Sequence, residues 1–137
     1  MSSKPAALPR VLLFEPHFVL RRTIVSVARD LGVAEIQEVN SIDRARAELA
    51  ARPYEGVVLD FDDSSRAADL LGELRLGRFY SRPDVPVVVM AAEMRPRDEQ
   101  RLEALAVTQV LHKPFKIGDL LNAMGSKGRG GLSDPAG

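Results

Sequence analysis

The stretch "YEGVVLDFDDSS", Tyr54–Ser65, joins a run of Val57, Val58 and Leu59 directly to three carboxylates, Asp60, Asp62 and Asp63. The apolar run has the length and composition of a strand covered on both faces. Asp and Ser at its end accept hydrogen bonds from backbone amides and start helices, which reads Asp62 and Asp63 as turn and N-cap residues. Three like charges in four positions repel each other unless a cation or a basic side chain lies among them. The stretch is therefore strand, acidic turn, helix. It leaves two uses for Asp60: a cap of the turn, or a site carboxylate.

The same unit recurs on both sides. "RVLLFE" from Arg10 is a strand, and "HFVLRRTIVSVARDLG" follows with Phe18, Ile24, Val25, Ala28 and Leu31 at helical spacing and Gly32 as its stop. "VAEIQEV" alternates as a strand. Ser41 caps "SIDRARAELAARP", with Asp43 in the first turn and Pro53 beyond the end. After "GVVLD" comes "SSRAADLLGELRLG", which carries Leu70, Leu71 and Leu74 and is closed by Gly77. "VPVVVMA" is a fourth strand, "RPRDEQRLEALA" a charged helix with Leu102 and Leu105 inward, and "VTQVLHK" a fifth strand. "KIGDLLNAMG" is the last helix, with Ile117, Leu120, Leu121 and Met124 on one side. Five strand–helix units in alternation predict an α/β fold: a doubly wound, five-stranded parallel sheet in a (βα)5, three-layer arrangement. The domain spans 10–124, between a loose arm (1–9) and a glycine-rich tail (125–137) read as flexible.

Composition narrows the function. The chain has 137 residues, enough for one domain with a single core. Lys plus Arg equals Asp plus Glu at 19 each, so no global charge draws it to nucleic acid or to a membrane surface. It has no cysteine, which excludes disulfides, thiol catalysis and thiolate zinc sites. The apolar runs are far shorter than the roughly 18 residues a membrane span requires, and Glu15, Pro16 and His17 break the only run near the start. A cytoplasmic location is expected. The excess of Arg over Lys fits a GC-rich bacterial genome.

In an open parallel sheet, ligands sit outside the carboxyl ends of the strands. Those ends carry Glu15, Asp60, Ala91 and Lys113. The set resembles the response-regulator receiver domain, the CheY-like (flavodoxin-like) family of two-component signalling, over nearly the whole of 10–124. "VVLDFDD" resembles the phosphoacceptor strand, which implies Asp60 as the phosphorylated aspartate. "LHKPF" resembles the lysine–proline motif, which implies Lys113 as the phosphate-binding lysine and a cis bond before Pro114. "VLLFEP" matches the first strand, where the family places two adjacent acids. The chemistry is coherent: an aspartate attacks phosphorus as a nucleophile, and a divalent cation and an ammonium offset the charge on the phosphoryl oxygens.

The chain departs from the family at three positions, and the resemblance is accordingly to an atypical or pseudo-receiver. Pro16 takes the second acidic position, Ala91 stands where the family has Ser or Thr, and Val110 replaces the aromatic residue that swings inward on activation. An Mg²⁺ site weakened by Pro16 is expected, held by Glu15, Asp60 and Asp62, the last through its backbone carbonyl and its carboxylate. His17 and His112 lack a second His or Cys at ligand spacing and read as exposed. Partners are expected to be proteins, a sensor histidine kinase or a downstream target. They would meet the face formed by the fourth helix, fifth strand and fifth helix, at Arg97, Arg101, Val110, His112 and Lys116, with a homodimer left open. No output domain, DNA-binding or membrane segment is read after Met124. Three function classes follow: a stand-alone receiver acting by protein contact, without enzymatic activity; a haloacid-dehalogenase-like phosphotransfer enzyme using Asp60 and Asp62; and a phosphate-independent dimerisation or scaffold module.

Overall fold

A computed structural model of the chain describes residues 7–125. The expected alternation is present throughout: β1 (Arg10–Phe14), α1 (Phe18–Leu31), β2 (Glu35–Val39), α2 (Ile42–Ala51), β3 (Gly56–Asp60), α3 (Ser64–Arg75), β4 (Val87–Ala91), α4 (Pro96–Ala104), β5 (Gln109–His112) and α5 (Ile117–Gly125). The strands form one parallel sheet in the order β2-β1-β3-β4-β5. Gly125, expected to begin the tail, is the last residue of α5. The rest of the tail, and residues 1–6 of the arm, lie outside the described residues.

Strand periodicity sorts the core into two halves, because successive side chains point to opposite faces. Leu12, Phe14, Val57, Leu59, Val87 and Val89 pack with α2, α3 and α4, whereas Val11, Leu13, Val58, Val88, Met90 and Leu111 pack with α1 and α5. With layers on both sides, β3 and β4 are buried along their whole lengths, which is why their sequences are continuously apolar.

The caps follow the sequence. Ser41 accepts from the Arg44 amide, Asp63 accepts from the Arg66 amide, and Gly32 closes α1 in the left-handed conformation at φ 64°. The reading of α1 needs one correction. Phe18 and Leu31 have helical spacing but are 66% and 63% exposed. A 14-residue helix is about 21 Å long, against about 16 Å for a five-residue strand, so both ends of α1 overhang the sheet. The Arg21 guanidinium lies over the Phe18 ring, 5.6 Å from its centre.

One structural residue carries no sequence motif. Arg75, at the end of α3, donates to the carbonyls of Leu105 (2.7 Å), Val85 (2.7 Å), Pro83 (2.8 Å) and Ala106 (3.1 Å). It thereby ties α3, the strap before β4 and the turn after α4 together. Burial lowers its pKa, opposed by the charge of Asp84.

Candidate acidic site at the strand ends

The parallel register aligns the carboxyl ends of the central strands. The Phe61 amide donates to the Met90 carbonyl at 2.8 Å, and the Lys113 amide to the Ala91 carbonyl at 2.8 Å. Glu15, Asp60 and Lys113 are thereby brought together from positions 98 and 53 residues apart. The Lys113–Pro114 bond is cis, as the motif implies.

Lys113 Nζ lies 2.6 Å from Asp60 Oδ1 and 2.8 Å from Glu15 Oε1, and donates to both. The side chains of Asp60 and Glu15 are 1% and 0% exposed, and that of Lys113 is 13% exposed. The remaining carboxylate oxygens are also bonded. Asp60 Oδ2 accepts from the Asp62 amide at 3.1 Å. Glu15 Oε2 accepts from the His17 amide at 2.9 Å and lies 2.8 Å from His17 Nδ1. Arg21 fixes this loop from α1, donating to the Glu15 carbonyl at 3.0 Å and to Glu38 at 2.9 Å.

Two carboxylates thus share one ammonium in a buried pocket. Burial is the largest influence on Asp60 and pushes its carboxyl above the ordinary range. The bonds from Lys113 and the Asp62 amide pull it down, and the Glu15 charge adds to the rise. Burial alone would lower the Lys113 pKa, but the hydrogen bonds and charges of Asp60 and Glu15 outweigh it, and the net direction is upward.

Of the expected cation ligands, Glu15 and Asp60 converge, but with every carboxylate oxygen taken by a donor of the chain itself. Pro16 supplies no side-chain oxygen. Asp62 is exposed and meets Asp60 through its amide. Among the described residues no group of three or more His, Asp or Glu side chains is arranged to hold a metal ion. The set as it stands is a poor fit to an octahedral cation at about 2.0–2.1 Å: Pro16 supplies no second acid, and the oxygens of Glu15 and Asp60 would have to be shared with or released by their present donors.

The positions where the resemblance expects switch residues are filled without polar or aromatic groups. Ala91 ends β4 fully buried, and Val110 is half-buried against the core on the α2–α3–α4 side of the sheet. On the expected partner face, Arg97, His112 and Lys116 are exposed. Arg101 turns toward α3, 3.7 Å from Asp69. Sequence reasoning foresaw Lys113 beside Asp60 but missed two supports of Glu15, namely His17 and Arg21. The only signal for His17 was its place two residues after an acid, across a proline whose fixed φ shapes the loop.

No family model matches the sequence, and no curated protein matches it. The fold is similar to solved receiver domains. It superimposes on the chemotaxis protein CheY4 of Vibrio cholerae with a TM-score of 0.74 at 20% identity, covering 88% of this chain and 99% of that one. For a CheY-like response regulator receiver domain protein of Methanospirillum hungatei the TM-score is 0.78 at 14% identity, over 88% and 93% of the two chains. A sensor protein of Polaromonas gives 0.73 at 24% identity, over 87% and 94%. The fold is that of the CheY-like receiver domains, and no helix among the described residues is long and apolar enough to cross a membrane.

Proposed function

We propose that this chain is an atypical receiver module of two-component signalling that acts by protein–protein contact, with its phosphorylation switch impaired. The observation that carries the reading is the Asp60–Lys113–Glu15 constellation, placed at the strand ends of a receiver fold. The aspartate and the lysine are kept. The groups that would relay a phosphoryl group outward are replaced by Ala91, whose side chain offers no hydrogen bond, and by Val110, which is already packed against the core. Contact through α4, β5 and α5 then needs no phosphate, and Arg97 and Lys116 are exposed there to pair with acidic groups of a partner.

A capture experiment tests this. Immobilised wild-type and Asp60→Asn proteins are expected to retain the same protein partner from cell extract in equal amounts, while an R97E/K116E variant retains several-fold less. Capture that depends on Asp60 or on added phosphodonor, or that ignores the charge reversal, contradicts the reading. The phosphotransfer-enzyme alternative requires Asp62 as a general acid, yet the Asp62 side chain is exposed and it is the amide that meets Asp60. Turnover of a simple phosphomonoester would revive that alternative.

A further inference from the structure

We propose that the chain's own donors, the Lys113 ammonium and the His17 amide and ring, occupy the carboxylate oxygens of this pocket so that it takes no divalent cation, with His17 as the residue that positions Glu15. The inference rests on the receiver reading, because it is there that a cation is expected.

Glu15 accepts on Oε1 from Lys113 and on Oε2 from both the amide and Nδ1 of His17. Asp60 accepts on Oδ1 from Lys113 and on Oδ2 from the Asp62 amide. These are charge-assisted bonds, the stronger class of protein hydrogen bond. Glu15 and Asp60 are almost fully buried, so a hydrated ion reaches them only by competing with those donors and shedding its own waters, which Mg²⁺ does reluctantly. The position that would offer a second carboxylate is Pro16. The loop is braced in this arrangement by Arg21, which holds the Glu15 carbonyl and Glu38 at once. His17, whose side chain is 70% exposed, turns Nδ1 inward to Glu15.

Mn²⁺ is the probe, read by paramagnetic broadening of the amide signals of Glu15, Asp60, Phe61, Asp62 and Lys113 in the full chain. Wild-type protein is expected to show no saturable broadening at these amides in the millimolar range. A P16D/H17A variant, which restores an acid and removes the ring contact on Oε2 while the residue-17 amide still donates there, is expected to bind saturably and at least about tenfold tighter than any wild-type binding. Saturable broadening in wild type that disappears in Glu15→Gln overturns the proposal. So does a folded P16D/H17A protein that gains nothing, because the His17 ring and the missing acid at position 16 would then have no part in keeping the cation out. If the double variant does not fold, His17→Ala alone is read by the same criterion. A result against the proposal leaves the contact reading standing, since that is decided by partner capture.

Discussion

Lys113→Met is expected to cost about 3–5 kcal/mol of folding stability at neutral pH, the range seen when one member of a buried charge pair is removed. The substitution keeps the aliphatic stem but leaves Glu15 and Asp60, both almost fully buried, facing each other without a cation. The pH dependence identifies the cause. Burial raises the Asp60 carboxyl in the folded state, and loss of the Lys113 bond and charge removes what pulls it down, so the folded protein binds this proton more tightly than the unfolded chain. Stability then falls as pH rises from the ordinary carboxylate range through the raised values, and the variant recovers when the pH is lowered. Wild type follows the same sign more weakly for Asp60, whose pKa is also raised. Lys113 acts at the other end of the scale: its raised pKa contributes stability that is present at neutral pH and is lost as pH rises through the folded value. Denaturant unfolding of Lys113→Met between pH 4 and pH 8 checks this, with Asp60→Asn as the control. That control leaves Lys113 paired with Glu15 and is expected to be no less stable than wild type at neutral pH. A Lys113→Met deficit that does not shrink on acidification would place the cost in packing rather than in charge.

Arg75→Ala is expected to cost about 2–4 kcal/mol, because hydrogen bonds to charged groups contribute about 1.5–3 kcal/mol each and water can replace only some of them. Four carbonyls, of Pro83, Val85, Leu105 and Ala106, lose their donor at once. Arg75→Lys is expected to recover only part of the loss, since a single ammonium cannot reproduce the planar fork of the guanidinium. The effect should also be local. Hydrogen exchange at Val85, Val87 and Val107 is expected to accelerate more than at β1 and β2, because the strap before β4 and the turn after α4 are what Arg75 holds. Uniform acceleration across the sheet would mean that Arg75 supports the fold only globally.

The fold was legible because its governing signals are local and repeated. The continuously apolar β3 and β4 could belong only to a sheet covered on both faces, and caps such as Ser41, Asp63 and Gly32 punctuate the helices through their own side-chain or backbone chemistry. Helical spacing misled only at Phe18 and Leu31, since periodicity carries no information about where a helix runs past its sheet. At the site, Asp60 and Lys113 were legible from the strand ends they occupy. The way Glu15 is held was not. His17 is an ordinary loop residue until the turn after Pro16 folds its amide and ring back onto Glu15, and Arg21 reaches the same loop from a helix. Arg75 was equally silent, because its partners are backbone carbonyls, which every residue type carries.

The central claim is that the charge of the pocket is balanced from within, so that the α4–β5–α5 face does not respond to phosphodonor. The most direct measurement is the amide spectrum of the full chain before and after incubation with acetyl phosphate and Mg²⁺, with Asp60→Asn in parallel. The account predicts that the signals of Ala91, Val110 and the α4 residues stay where they are in both proteins. A shift of those signals in wild type that is absent from Asp60→Asn would contradict it, showing that Asp60 is phosphorylated and that the change reaches the contact face despite Ala91 and Val110.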